Sequence, residues 1–472
     1  MGTKQHAIMG LILAATWGSF LSRPGHGMDI LPLDQVKPGM AGEWRTAVSG
    51  SDIRTFQLRV IGIADHFIGP NRPVIICEAT DEENRLSGPV AGMSGSPVFI
   101  EGKLVGAYAY GYTWPKHQAI IGVTPIEEML PVMDEPAVRS TSAERNSPRW
   151  KSVEPASRER LLKYQSALKP LPSPLFVSGI SQNTLEAFQS DIDSIGLDVM
   201  NAPMGSAKQS GEISLEAGSP VTAILMYGDF NFGATGTVTY VDGDRLLAFG
   251  HSFFQWGDVE IPLAHSEVLT VVRSLPSSFK LSNYGKVFGR VYQDRLTGIA
   301  GEAGTFVPMT DFSVHVSYPD SQEKSFSAKM FRHPRFSPLL NGLATMEALT
   351  RVNEFSEEQT LTVTTRLKVE GHDRIELTDI FSGVGAAQEA AFQGRAIHSL
   401  IADSIFDPPA MESVEVRVES LPRTLIHLLD AVYLKDNVLD AGDEVALTLS
   451  LKDHAGNRFR RKVSFPCGCG GG

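Results

Sequence analysis

The sequence predicts a mainly β protein of about three domains, and three observations carry that expectation. At 472 residues, 42% hydrophobic and 20% charged, the chain is too long for one core and too apolar to remain unfolded. Short runs rich in Val, Ile, Phe and Tyr recur between glycine- and proline-containing turns, while helical periodicity is confined to a few segments. Towards the C-terminus, residues 414–418 and 445–451 alternate apolar with polar side chains, the pattern of an immunoglobulin-like β-sandwich.

Residues 1–27 read as an export signal. Lys4 supplies positive charge, residues 8–21 form an apolar run broken by Trp17, Gly18 and Ser19, and Gly25-His26-Gly27 offers small residues for cleavage before Met28. The run is short for a membrane span, and no later segment reaches that length, so the expectation is a mature protein in the periplasm or outside the cell.

Residues 28–133 form a β-rich unit. Residues 56–63 alternate and lead to a turn at Gly69-Pro70; residues 98–100 and 104–110 flank Glu101-Gly102 as a hairpin; residues 120–125 are a further strand, and 126–132 a short closing helix. Between 134 and 174 Ser, Arg, Glu, Lys and Pro dominate, which marks a linker, with a short helix at 157–168 and exposure to proteolysis.

A second β-rich unit spans 175–318 and opens with a helix at 185–195. Strands at 221–229 and 236–241 precede the turn Asp242-Gly243-Asp244, and the strand 245–249 ends in Gly250-His251-Ser252. Residues 319–408 are a mixed connecting region with a helix at 385–402. Gly383-Val384-Gly385 within it lacks the preceding strand and third glycine of a dinucleotide site. Residues 409–466, with turns at 441–443 and 454–457, are the sandwich-like region, a non-catalytic appendage, and 467–472 is a Cys/Gly tail.

The formal net charge of -12 is spread along the chain with no basic stripe, so no nucleic-acid partner is expected. Three cysteines are too few for a disulfide framework: Cys77 lies in an apolar run and reads as a buried, inert thiol, and Cys467 and Cys469 belong to the tail. Among the 12 histidines, no pair at helical spacing accompanies a carboxylate, and neither a metal nor a cofactor is expected.

Chemistry points instead to residues 90–100, where Gly92-Met93-Ser94-Gly95-Ser96-Pro97 feeds an apolar strand. A serine nucleophile needs an exposed Oγ on a tight turn with backbone N–H groups aimed at the developing oxyanion, and flanking glycines permit both. The same composition also suits an ordinary β-turn, so a partner base decides between the two. His251 stands out because it ends an apolar strand beside Gly250; His265 is its local competitor, and His66 and His117 lie in the serine unit.

The serine segment resembles the SpoIVB-type peptidases in Gly92-Met93-Ser94-Gly95-Ser96-Pro97, in residues 102–107 and in residues 122–130. Their histidine segment resembles residues 236–239, Ala248-Phe249-Gly250-His251 and 298–301. The order differs: in the sporulation peptidases the histidine segment comes first, whereas here Ser94 precedes His251, and no PDZ module is evident. Triads are recognised by geometry rather than chain order.

The resemblance implies a trypsin-like double β-barrel with the site in the cleft between barrels. Ser94, rather than Ser96, is then the nucleophile, His251 the general base, and the N–H groups of Gly92 and Ser94 the oxyanion hole. For the acid it suggests Asp81, which lies shortly before the serine segment; Asp258 is the alternative, and a Ser-His dyad the third arrangement. The expected function is an exported serine endopeptidase acting on protein or peptide substrates, with the 134–174 linker open to self-cleavage. A catalytically inactive scaffold of the cell envelope is the competing expectation. An esterase is disfavoured because the turn is not Gly-x-Ser-x-Gly leading into a helix.

Overall fold

The computed structural model describes residues 28–112, 119–135, 168–171, 175–195, 198–202, 215–274, 278–319, 321–352, 358–404, 409–435, 438–440 and 442–467. The amino-terminal segment 1–27, most of the 134–174 linker with its expected helix and cleavage region, His117 and Cys469 lie outside the described residues. Strands make up 54% of the described residues and helices 17%, so the protein is mainly β.

The serine-bearing unit is built from β1 (Ala41–Ser49), β2 (Asp52–Ala64), β3 (Val74–Ala79), β4 (Val90–Ala91), β5 (Ser96–Ile100), β6 (Lys103–Tyr112), β7 (Ile120–Pro125) and β8 (Leu168–Pro170). Alternation fixes which face is inside: in β2, Phe56, Leu58 and Val60 are buried while Gln57 and Arg59 are exposed. The strands pair in the order β5-β1-β2-β3-β7-β6, and β5 pairs again with β6, closing a six-stranded barrel. Closure removes the sheet edges that would otherwise be open to other chains. Trp44 anchors the interior, its ring 5.3 Å from Phe56 and 5.9 Å from Tyr108. Cys77 is buried in this core, and burial pushes its thiol up to about 12, so it is not a thiolate at neutral pH.

The second sheet comprises β9 (Leu175–Ser178), β10 (Val199–Asn201), β11 (Pro220–Gly228), β12 (Asn231–Asp242), β13 (Arg245–Ala248), β14 (Gly257–Val272), β15 (Ser278–Arg295), β16 (Gly298–Ala303), β17 (Thr310–Tyr318), β18 (Ser321–Met330), β19 (Thr360–Val369), β20 (Ile375–Ser382) and β21 (Met411–Leu421). Consecutive pairings link β11, β12, β13, β16, β15 and β14 in a ring, and the sheet continues from β11 through β18, β17, β21, β19 and β20. The helices Phe336–Val352 and Ala386–Ala402 pack against this extension. The first was not visible as a helix because nearly all of it is buried, so its sequence shows no amphipathic stripe. Where one helix was expected at 185–195, two short ones stand, Gln182–Ala187 and Gln189–Ile195.

At the C-terminus, β22 (Leu428–Leu434), β23 (Glu444–Lys452) and β24 (Arg458–Pro466) form a single three-stranded antiparallel sheet. A second facing layer, which a sandwich requires, is not seen among the described residues. Met411–Leu421, read from its alternation as part of that region, pairs instead with β17 and β19. Alternation reports a half-buried strand and not the sheet to which it belongs.

Two devices join the serine unit to the second sheet. The short β4 pairs in parallel with β15, so the chain leaves one sheet, turns through residues 92–95 and enters the barrel as β5. Helix α2 (Ile126–Asp134) buries Ile126, Met129, Val132 and Met133, and its apolar face shares a core with Leu247, Tyr292 and Ala300 of the second sheet. The serine turn therefore lies on the seam between the two units.

Candidate active site

Both glycines flanking Ser94 have the left-handed backbone that favours glycine, with φ of +88° at Gly92 and +93° at Gly95. At Gly95 space is equally decisive, since a Cβ there would lie 2.0 Å from Thr237 O and 2.4 Å from Phe249 N. The turn is held internally by Met93 N–H to Val90 O and Ser96 N–H to Met93 O, and to β6 by Gly95 N–H to Tyr108 O. These bonds leave out the N–H groups of Gly92 and Ser94, the two expected to bind an oxyanion.

Strand β12 grips the turn from the other unit. Thr237 N–H donates to Ser94 O at 2.9 Å, Thr237 Oγ1 donates to Gly92 O at 2.9 Å, and Thr239 Oγ1 donates to Gly95 O at 2.7 Å. Ser96 Oγ donates to Met93 O at 2.6 Å and is thus committed to the turn. Ser94 is fully buried, and its Oγ has no hydrogen-bond partner among the described residues. A buried hydroxyl left unpaired costs about 1–3 kcal/mol, so an orphan at this position calls for a functional explanation.

The histidine arrives from β13. Phe249 and Gly250 both have left-handed φ, +68° and +69°, an uncommon state for a bulky residue such as Phe249. This backbone presses Gly250 onto the serine barrel: a Cβ there would lie 2.8 Å from Ala107 Cβ and 3.0 Å from Ala109 Cβ, and Gly250 O accepts from Thr124 Oγ1 at 2.5 Å. Ala107 and Ala109 flank Tyr108, whose carbonyl holds Gly95. The serine turn and the histidine end of β13 therefore converge on one stretch of β6.

His251 is 4% exposed. Its Nδ1 lies 2.8 Å from Ser252 O, a contact that places the proton on Nδ1 and the lone pair on Nε2. Nε2 is buried and, like Ser94 Oγ, has no hydrogen-bond partner among the described residues, so the two atoms are not hydrogen-bonded to each other in this structure. Burial pushes the imidazole down to about 4, so it is neutral at pH 7, the state in which it accepts a proton.

The two carboxylates considered as its orienter hydrogen-bond to other residues. Asp81 precedes helix α1 (Glu82–Ser87) and accepts from the N–H of Gln57. Asp258 opens β14 and accepts from Gln293 Nε2 at 2.9 Å and Arg295 Nη2 at 3.0 Å. His265 is on β14 with its ring 4.3 Å from Phe288, and His66 Nδ1 accepts from Asn71 N–H within the β2–β3 connection.

A different acid organises the histidine loop. Asp294, fully buried near the end of β15, accepts from Phe253 N–H and Phe254 N–H at 2.7 Å each and from Trp256 N–H at 3.3 Å. Its pKa is raised to about 6 by burial, which those N–H donors oppose. Sequence reading missed it because nothing local distinguishes an aspartate in a strand, and its partners lie some forty residues earlier. A surface groove of about 520 Å³, lined by Tyr227, Asp311, Lys329 and Glu415 among others, includes no residue of either segment.

No group of three or more His, Cys, Asp or Glu residues suited to a metal ion occurs among the described residues. No described helix is long and apolar enough to cross a membrane. Residues 8–128 match the SpoIVB peptidase S55 family, a stretch that contains the serine turn and stops before the histidine segment. Neither the curated proteins nor the solved structures contain a match to the chain.

Proposed function

We propose that the protein is an endopeptidase with Ser94 as nucleophile and His251 as general base, a reading supported by the match of residues 8–128 to the SpoIVB peptidase S55 family. The observation that carries this reading is the pair of orphaned buried atoms, Ser94 Oγ and His251 Nε2, on two segments that converge on β6. The ring of six strands in the second sheet, beside the closed barrel of the first, supports a trypsin-like double barrel with its site at the seam.

In this mechanism Ser94 Oγ attacks the peptide carbonyl as His251 Nε2 takes its proton. The N–H groups of Gly92 and Ser94 stabilise the oxyanion, each donor worth about 3–4 kcal/mol by precedent. Collapse expels the amine, protonated by the imidazolium, and leaves an acyl-enzyme that water hydrolyses through the same base. Orientation of His251 falls to the Ser252 carbonyl and the Asp294-held loop, a Ser-His dyad in place of a triad with Asp81 or Asp258. Export by residues 1–27 to the periplasm or beyond, and self-cleavage in the 134–174 linker, belong to the same proposal.

Purified wild type should react covalently with a serine-directed phosphonate, and Ser94→Ala should not. Equal labelling of the two overturns the assignment. A second reading, a peptidase-like scaffold without turnover, is favoured by one observation: Ser94 is 0% exposed, so substrate reaches it only after the seam opens. Wild type that binds envelope proteins yet never labels would support the scaffold.

A further inference from the structure

Lys280 is a buried titratable group that the mechanism above leaves unused. It lies on β15, fully enclosed, opposite Val271 of β14. Its aliphatic stem runs along the serine turn: a Cβ on Gly92 would lie 3.1 Å from Lys280 Cβ and 3.3 Å from its Cδ. Nζ donates to Thr46 Oγ1 of β1 at 2.6 Å and to Thr237 Oγ1 of β12 at 3.2 Å.

Proton counting fixes the direction of the chain of bonds. Thr237 has one hydroxyl proton, and it goes to Gly92 O, so Thr237 Oγ1 must accept from Lys280. Donation from the lysine polarises that hydroxyl and strengthens its hold on Gly92 O. The backbone N–H of Thr237 meanwhile holds Ser94 O. Thr237 thus clamps the carbonyls of Gly92 and Ser94, and Lys280 fixes the side-chain half of the clamp.

No carboxylate pairs with Lys280 among the described residues, and burial alone pushes its ammonium down to about 7. Packing does not require this arrangement, because a Met of similar length would fill the space without burying a polar head. We propose that Lys280 is a positioning residue for Ser94, acting through Thr237 to hold the 92–94 backbone in its reactive conformation. The proposal rests on the reading of Ser94 as nucleophile.

The test is a double-mutant cycle on phosphonate inactivation of the full chain, with the inactivation rate constant and the binding constant of the probe measured separately. Wild type and Ser94→Ala first establish the nucleophile; labelling of wild type no faster than Ser94→Ala would overturn the reading beneath the proposal. Lys280→Met and Thr237→Val should each lower the rate constant roughly tenfold to a hundredfold, the scale of a small misplacement of reacting groups. The probe's binding constant and the melting temperature of Lys280→Met should not worsen. The double variant should be no slower than Thr237→Val alone, and Thr237→Ser, which keeps the hydroxyl, should retain the wild-type rate. A wild-type rate in Lys280→Met, or multiplicative losses in the double variant, would overturn the proposal. Should Lys280→Met fail to fold, Lys280→Gln takes its place in the cycle with the same two deciding outcomes.

Discussion

Burial keeps the His251 ring neutral, and the Ser252 carbonyl fixes the tautomer that leaves the lone pair on Nε2, the orienting task that an acid performs in a triad. The sign follows from the depressed pKa of about 4 against an ordinary value of 6.5. Between these values the unfolded chain holds the proton and the folded chain does not, so this group's contribution to stability is complete above pH 6.5 and lost as pH falls towards 4. The acidic limb of kcat/KM set by the free base should accordingly lie near pH 4. A limb at 6.5 belonging to His251, identified by its loss in His251→Ala, would show that the ring is solvated when it works.

Asp294 allows a second test at the same scale. Both carboxylate oxygens accept backbone N–H bonds, so Asp294→Asn replaces one acceptor with an amide donor and leaves a loop N–H unpaired, a loss of about 1–3 kcal/mol. The expected result is faster hydrogen exchange at Phe253 and Phe254 together with slower phosphonate labelling. Unchanged exchange would remove Asp294 as the support of the histidine loop. Ser94 and His251 stand out in the sequence because the glycines beside them are local signals of an unusual backbone, and those glycines do take positive φ. Asp294, Lys280 and Thr237 do not stand out, because each acts through partners that only the tertiary fold brings near.

At the level of elements, α2 is the piece that ties the barrel to the second sheet. Its Met129 is fully buried between the two. Met129→Ala should cost about 2–5 kcal/mol in chemical denaturation and slow labelling as well, since the same contact holds the serine and histidine segments together. A stability loss with unchanged labelling would mean that the strand contacts alone set the site. The short helix before Asp134 was legible from its pattern, as was Ala386–Ala402, because each shows one face to solvent. Phe336–Val352 was not, since a helix enclosed on nearly all sides has no polar stripe to reveal its period. Met411–Leu421 was legible as a strand but not as a member of the large sheet, because pairing partners leave no local mark.

Across the whole molecule, the chain order that separates Ser94 from His251 is undone by topology. The strand β4 carries the approach to the serine in the second sheet, β5 carries its exit in the first, and β12 and β13 bring Thr237 and His251 back to the same seam. The proposed mechanism requires those two segments to form one site. It is tested most directly by mapping the phosphonate adduct by mass spectrometry in wild type, Ser94→Ala and His251→Ala. The expected result is a single adduct on Ser94 in wild type, none in Ser94→Ala, and labelling slowed on the order of a hundredfold or more in His251→Ala. An adduct on Ser96, or labelling of Ser94 at the same rate without His251, would contradict it.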